Sequence, residues 1–398
     1  MAMSVGDLLR TAAERQAAGD LEAAASLYVQ LLKARPRHWV ALRNLGSVRR
    51  AQGRPADAAE LCRRALRLAP DEPSLHRNLS NALVDLDQIE PAIDHLQRAL
   101  AASPEDVAVI GRLATLLGRA ERLEDSLAMC RRGLAIAPDN IPLWRGAALA
   151  LHRLERFDEA KQAYGRLLEL APADDSASFL LAAVEGHGPA TAPPTYIRGL
   201  FDAFAPWFER NLLDELDYRV PERLDGLLRR HLPAGARLDR AVDLGCGTGL
   251  MGQRLRPLCR HLEGVDLSPG MLAQAGRKGI YDRLAEDDAV AFLRAEGRPW
   301  SLIAAADLLV YVGELAPLFA AAVARLEPGG LLLVSTECQD IPADGWGLGP
   351  AARYRHGRDH VAGELARAGL ALVGQEEGPI RREGDVATTG GLFLARNG

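Results

Sequence analysis

Along the first half of the chain, apolar residues recur at helical spacing. Leu42, Leu45 and Val48 share one helical face, as do Leu61, Ala65 and Leu68. The pattern returns every 34 residues, with small residues at Ala12, Gly46, Ser80, Ala114 and Ala148 and again at Ala24, Ala58, Ala92, Ser126 and Ala160. Prolines keep the same period at Pro36, Pro70, Pro104, Pro138 and Pro172. Small side chains at fixed phase let two helices approach closely, and each proline closes the second helix of a unit because it cannot continue the hydrogen-bond ladder. Residues 174–185 read as one more amphipathic helix, covering the array's last apolar face. Residues 186–194 have the composition of a linker. Residues 196–209 are helical in spacing and rich in aromatics, with Phe201, Phe204, Trp207 and Phe208 together. They are either an anchor on the following core or a lid over a pocket.

From about residue 216 the pattern changes. A helix running to about His231 precedes short apolar runs that alternate with helical stretches. Strands are expected at 240–244, 262–267, 281–284, 301–305 and 331–335, with two closing strands at 370–375 and 391–395. The intervening helices start at Leu250, Pro269, Val290, Leu315 and His360. Such alternation predicts a mainly parallel sheet covered by helices on both faces, in which ligands bind beyond the carboxyl ends of the strands.

Length and composition narrow the classes. At 398 residues, two domains are expected. A net charge of −5 argues against a general nucleic-acid binder. The five cysteines are widely spaced with no CxxC, which fits a reducing compartment and argues against a disulfide framework or zinc site. Cys62 and Cys130 fall at a packing phase of the repeat. No apolar run reaches membrane-spanning length and no leader peptide is read at Met1–Asp7, so the expectation is a cytoplasmic protein without membrane contact.

The chemistry gathers at Ala241-Val-Asp-Leu-Gly-Cys-Gly-Thr-Gly-Leu250. Gly245, Gly247 and Gly249 follow the first strand of the alternating half, where a tight turn lets backbone N–H groups approach a ligand closely. A dinucleotide fingerprint needs a third Gly or Ala where this chain has Leu250. Asp243 stands two residues before the first glycine. Asp266, at the end of the second strand, is placed to accept both hydroxyls of a ribose. Cys246 contributes its backbone.

The 34-residue array resembles the tetratricopeptide repeat, with five units over about residues 5–172. The glycine turn with Asp243 and Asp266 resembles motif I of the class I S-adenosylmethionine-dependent methyltransferases. Leu267-Ser-Pro-Gly-Met271, Asp288 and Pro328-Gly329-Gly330 match further marks of that family. Together with Leu200–Glu209 and Leu216–Pro221, these features resemble a bacterial family of tetratricopeptide-repeat methyltransferases. The resemblance implies a repeat solenoid at 1–172, a capping helix and linker at 173–194, and a Rossmann-like methyltransferase domain with lid helices at 195–398. It implies S-adenosylmethionine as cofactor, with Asp243 beside its cationic amine, Met271 packing on the adenine, Asp288 or its neighbour Asp287 accepting from the adenine amine, Ala289 donating from its backbone, and Leu267 and Ala305 among the cofactor contacts. Phe204 stands where the family has Tyr, and Glu209 where it has Asp.

The acceptor side offers Asp307 and Tyr311 after the fourth strand. Asp307 either caps the next turn or touches substrate. His356 is a candidate base, or else a capping histidine. His356 and His360 are four apart, but Gly357 lies between them and no third ligand is at hand, so no metal is expected. Phe204, Phe208, Tyr218 and Arg219 are candidate lid and substrate contacts, the last two toward the cofactor carboxylate. The array is expected to contact a peptide, a protein or a second copy of the chain. The acceptor is a small molecule or a peptide. The alternative is a scaffold whose methyltransferase domain binds its cofactor without turning over.

Overall fold

The structure is a computed structural model that describes the chain except Met1, Ala2, Pro206, Asn211, Asp214, Glu215, Glu296, Gly384 and Asp385. Pro206, inside the predicted lid stretch, thus lies outside the described residues. The chain divides into two compact units, Met1–Pro172 and Ala173–Gly398.

The first unit is a succession of helix pairs: α1 (Val5–Ala17) with α2 (Leu21–Ala34), α3 (Trp39–Ala51) with α4 (Pro55–Leu66), α5 (Pro73–Asp85) with α6 (Ile89–Ala102), α7 (Val107–Arg119) with α8 (Leu123–Ile136), and α9 (Ile141–Arg153) with α10 (Phe157–Leu170). The small positions are small because the partner helix leaves no room. A Cβ on Gly46 would lie 3.2 Å from Cys62 Sγ and 3.4 Å from the Ala58 carbonyl. Ser126 Oγ instead donates to the Ala114 carbonyl across the same contact, at 2.8 Å. The first helix of each pair is capped at one phase, by Ser4, His38, Glu72, Asp106 and Asn140, whose side chains accept from first-turn N–H groups.

A second phase was not evident from sequence. The turn inside each pair puts one residue in the left-handed region, at Gly19, Gly53, Asp87, Glu121 and Glu155. Only the first two are glycines, so composition hid the rule. Glu155, at φ 57°, carries the steric strain of a side chain there. Glu155→Gly is expected to stabilise the first unit by up to about 1 kcal/mol, after allowing for the extra chain entropy of glycine. An upward shift of the urea midpoint would show it, and a downward shift would refute it.

The second unit begins with α11 (Asp175–Glu185), whose Phe179 packs on Tyr196 and Tyr354, with ring centroids 4.9 and 6.3 Å away. Then come α12 (Pro194–Phe204), the single turn α13 (Phe208–Arg210) and α14 (Val220–His231). The stretch read as a linker is not loose. Thr191 bridges Val312, and the Ala192 N–H donates to the Tyr311 carbonyl at 2.9 Å.

The alternating part follows as β1 (Leu238–Leu244), α15 (Leu250–Leu255), β2 (Cys259–Asp266), α16 (Pro269–Arg277), β3 (Arg283–Glu286), α17 (Ala289–Arg294), β4 (Trp300–Ala305), α18 (Ala316–Arg325) and β5 (Leu326–Glu337). Two strands absent from the sequence reading, β6 (Trp346–Leu348) and β7 (Tyr354–His356), precede α19 (Arg358–Arg367) and the long hairpin of β8 (Leu370–Glu383) and β9 (Val386–Asn397). The strand order is β3-β2-β1-β4-β5-β7-β6. Neighbours from β3 to β5 are parallel, and β9 joins β5 antiparallel with β8 beyond it.

Alternate residues of the central strands feed two cores. Val242, Leu244, Ile303, Leu332 and Val334 face one side, with Leu318, Phe319, Val361 and Leu365 of α18 and α19. Ala241, Leu302, Ala304, Leu331 and Leu333 face the other, with Leu224, Leu228 and Met251 of α14 and α15. Among the described residues no helix is long and apolar enough to cross a membrane.

Candidate active site

A cavity of about 660 Å³ opens beyond the carboxyl ends of β1, β2 and β4. The sheet order reverses there, between β1 and β4, which is where a parallel sheet leaves a crevice.

The glycine turn forms its floor. At Gly247, φ is +54° and the N–H donates to Asp266 Oδ2 at 2.9 Å. Asp266 Oδ1 accepts from the Ser268 N–H at 2.8 Å. Both carboxylate oxygens are thus anchored while the residue still lines the cavity. Burial raises the Asp266 pKa, opposed by those two backbone bonds. Gly245, Cys246, Leu267, Asp288 and Ala289 also line the cavity. The Cys246 thiol is pushed well up by burial, so it stays protonated. Asp288 Oδ1 caps α17, accepting from the Val290 and Ala291 N–H groups at 3.0 and 2.9 Å.

Four residues assigned to the cofactor from sequence do not line the cavity. Asp243 is wholly buried under the turn, and its Oδ2 accepts from the Tyr281 hydroxyl at 2.7 Å. Its Oδ1 has no hydrogen-bond partner. Gly249 caps α15 in the left-handed region, and a Cβ there would come within 3.1 Å of the Tyr281 ring. A Cβ on Gly252 would come within 2.1 Å of the Tyr281 hydroxyl, and one on Gly264 within 3.0 Å of its ring. Tyr281 is therefore a wedge under the turn, and Gly249, Gly252 and Gly264 make room for it. Sequence reasoning missed this because Tyr281 lies just before β3, far along the chain. Met271 is fully buried, its N–H capped by Ser268 Oγ at 3.1 Å, and packs inside the domain. Ala305 is buried in β4, and the next residue, Ala306, reaches the cavity.

The aromatic helix is an anchor as well as a wall. Asp202 Oδ1 accepts from Ser268 Oγ at 2.6 Å and from the Gly270 N–H at 3.0 Å, and Arg198 pairs with Glu286 at 2.6 Å. Lys278 pairs with Glu209. Phe208 lines the cavity near Gly247. Phe204 does not: it points outward and is 48% exposed. Phe201, one turn earlier, takes that place, edge-on to Phe208 and to Tyr311 at 5.9 and 5.5 Å. Arg219 also faces out, paired with Asp217 at 2.7 Å. Tyr218 is buried, lines the cavity and hydrogen-bonds Asp307.

On the far wall Asp307 and Tyr311 are brought together. Asp307 sits at φ 55°, a strained setting for a non-glycine residue, held by its N–H to Ser335 Oγ at 2.9 Å. Burial raises its pKa, against the pull of Arg353 and Arg381. The Tyr311 hydroxyl accepts from Arg353 Nη1 at 3.1 Å. His356 is not there. Its Nε2–H donates to the Val312 carbonyl at 2.7 Å, and its ring packs against both His360 and Trp346, which also touch each other, at 5.6 and 6.1 Å. Burial lowers its pKa to about 4, so it braces the segment after Tyr311 as a neutral ring and is no base. No group of three or more His, Cys, Asp and Glu side chains among the described residues is arranged to hold a metal.

Matches to known families divide at the same place as the fold. Tetratricopeptide-repeat models match residues 9–73, 49–117, 91–151 and 143–174, and a methyltransferase-domain model matches residues 216–373. The chain carries tetratricopeptide repeats and a methyltransferase domain. Within that domain it is 34% identical over 120 residues to the ubiquinone biosynthesis O-methyltransferase of Xylella fastidiosa, covering 29% of this chain and 48% of the relative. It is 40% identical over 86 residues to human methyltransferase-like protein 27, covering 21% of this chain and 35% of the relative. The chain therefore spans between a third and a half of these relatives' length. Similar solved structures are N-methyltransferase NodS from Bradyrhizobium japonicum, with TM-score 0.40, 21% identity and coverage of 50% of this chain and 98% of that one, and MamA, with TM-score 0.40, 23% identity and coverage of 42% and 92%.

The cavity gathers the Asp266 carboxylate, anchored through both oxygens, the backbone of the Gly245–Gly247 turn, and Asp288 with Ala289, groups able to hold the cofactor of a methyltransferase domain.

Proposed function

We propose that the protein transfers a methyl group from S-adenosylmethionine to a small-molecule acceptor held in this cavity. The observation that carries the reading is Asp266, anchored through Gly247 and Ser268 at the end of β2 yet lining a cavity that continues past the glycine turn to Asp307 and Tyr311. A volume of about 660 Å³ falls within the ~300–1,000 Å³ usual for small-molecule sites. It has room for cofactor and acceptor side by side.

The bound cofactor supplies an activated methyl on a positively charged sulfur. The chain supplies alignment and dryness. Phe201, Phe208 and Tyr311 wall the site with aromatic surface that excludes water. Asp307 takes the acceptor's proton where the nucleophile is protonated. Its raised pKa makes it a better base than an exposed aspartate, and the bonds that Tyr218 and Ser335 Oγ donate to its carboxylate fix its direction. The repeat array contacts a protein, a peptide or a second copy of the chain, on the strength of its repeat architecture.

Calorimetry with S-adenosylhomocysteine, followed by labelled-methyl transfer to small-molecule and protein fractions of a lysate, tests the reading. Label in the small-molecule fraction supports it, and label confined to protein replaces it with a peptide acceptor. Removing residues 1–172 is expected to leave S-adenosylhomocysteine affinity unchanged, since every residue assigned to the site lies in the second unit. Loss of binding in a folded truncation would refute that.

A further inference from the structure

One helix pair of the array departs from the packing of its neighbours. Leu42 of α3 and Leu61 of α4 share an apolar cluster, and so do Ile110 of α7 and Met129 of α8. At the same two phases, in the pair between them, stand His76 of α5 and His95 of α6. Their Nδ1 atoms are 2.9 Å apart, and His76 is only 5% exposed.

The repeat itself fixes where the protons of this pair lie. His76 Nε2 is 2.9 Å from the Pro70 carbonyl. Two units later the residue at the same phase, Trp144, gives its indole N–H to the Pro138 carbonyl at 2.7 Å, and an indole nitrogen can only donate. The carbonyl of the closing proline is thus a slot for an N–H, and His76 fills it with Nε2–H. The Nδ1 of a neutral His76 then carries a lone pair, which an Nδ1–H on His95 meets. That leaves His95 Nε2 free to take one proton, because the imidazolium still donates from Nδ1. A second proton has only His76 Nδ1 to go to, where it would face the His95 N–H.

The surroundings also resist charge. Burial first, then His76 and Arg98 of its own helix, push the His95 pKa down to about 4; Asp94 opposes them and Arg63 of α4 adds to them. Glu72, one turn before His76, is spent on the Ser74 hydroxyl at 2.7 Å. From the other side α7 brings apolar side chains, Val109, Ile110 and Leu113, to the cluster it shares with α5 and α6.

We propose that His76 and His95 form a proton-operated joint in the repeat array, which ties α5 to α6 while at most one ring is charged and lets them part when both become cations. Histidines of an open chain take up protons at about pH 6.5, whereas the closed pair resists them. The joint is therefore fully closed above about pH 6.5 and weakens as pH falls toward about 4. It sits in the third of the five helix pairs, so its opening divides the array at the middle. Every group it uses lies in the first unit.

Two measurements on the full chain test the joint. Nitrogen spectra of histidine-labelled protein at about pH 7.5 are expected to show His76 as the Nε2–H tautomer and His95 as the Nδ1–H tautomer. An Nε2–H tautomer at His95 overturns the proposal, since no N–H would then join the rings. Hydrogen exchange, read by mass spectrometry on peptides of α5 and α6, next compares wild type with His95→Gln. The glutamine keeps an N–H for His76, can turn its oxygen to a charged His76, and takes no proton itself. From about pH 7 to about pH 5, protection of these peptides is expected to drop at least about ten-fold more in the wild type than in the variant. The double variant His76→Ile with His95→Met, which installs the pair of the next unit, is expected to behave as His95→Gln does and stands in for it should that variant fail to fold. An equal drop in the wild type and the variants overturns the proposal. So does a wild-type drop of the same size in β1, β4 and β5, which would be a general effect of acid.

Discussion

Asp266→Ala is expected to weaken S-adenosylhomocysteine binding by about 100-fold or more, since two hydrogen bonds to a charged acceptor are worth about 1.5–3 kcal/mol each. The carboxylate is bonded to the Gly247 and Ser268 N–H groups at 2.9 and 2.8 Å, so its direction is fixed before any ligand arrives. Little ordering is left for binding to do. The alanine variant loses the diol's acceptor and also unties the glycine turn from β2. Asp266→Asn separates the two effects. It keeps one oxygen for the turn or the ligand, and is expected to fall between wild type and alanine. Calorimetry at fixed pH measures all three. Wild-type affinity in the alanine variant would remove Asp266 from the site. Equal losses in both variants would mean that the charge, rather than the geometry, carries the binding.

What sequence revealed and what it hid divide along a physical line. The repeat was legible because helix packing forces small residues at Gly46, Ala58 and their equivalents, and each such position repeats. β4 and β5 were legible because both their faces are buried over 302–305 and 331–334, which leaves unbroken apolar runs, and β1 by the glycine turn that follows it. β6 and β7 are three residues each, and pairing with one another and with Glu337 makes them strands, not local propensity. The same contrast governs the site. Gly245, Gly247 and Asp266 are close along the chain and carry a local pattern. Tyr281, Arg353 and Arg381 act through partners from other elements, and no spacing marks them. His356 shows the reverse error: a histidine in a promising stretch that burial has committed to Val312.

Asp243 yields the second large effect, in stability rather than binding. It is wholly buried, and burial raises its pKa from 3.8 to about 7, against the hydrogen bond from Tyr281 that favours the anion. A carboxyl whose folded-state pKa is raised holds its proton more tightly in the folded protein than in the unfolded chain. Its contribution is therefore complete below the unfolded pKa and is lost as pH rises through the folded one. Between pH 5 and pH 8 that loss is roughly 2–3 kcal/mol. Asp243→Asn keeps an oxygen for Tyr281 and cannot ionise, so this slope is expected to vanish from the variant. Asp266, whose pKa is also raised, is present in both proteins, and the loss of its repulsion with Asp243 in the variant adds to the difference with the same sign. Urea unfolding of the two proteins across that pH range gives the answer. The variant is expected to gain on the wild type as pH rises, and parallel stability curves would mean that Asp243 stays ionised beneath the turn, with Tyr281 sufficient to hold its charge.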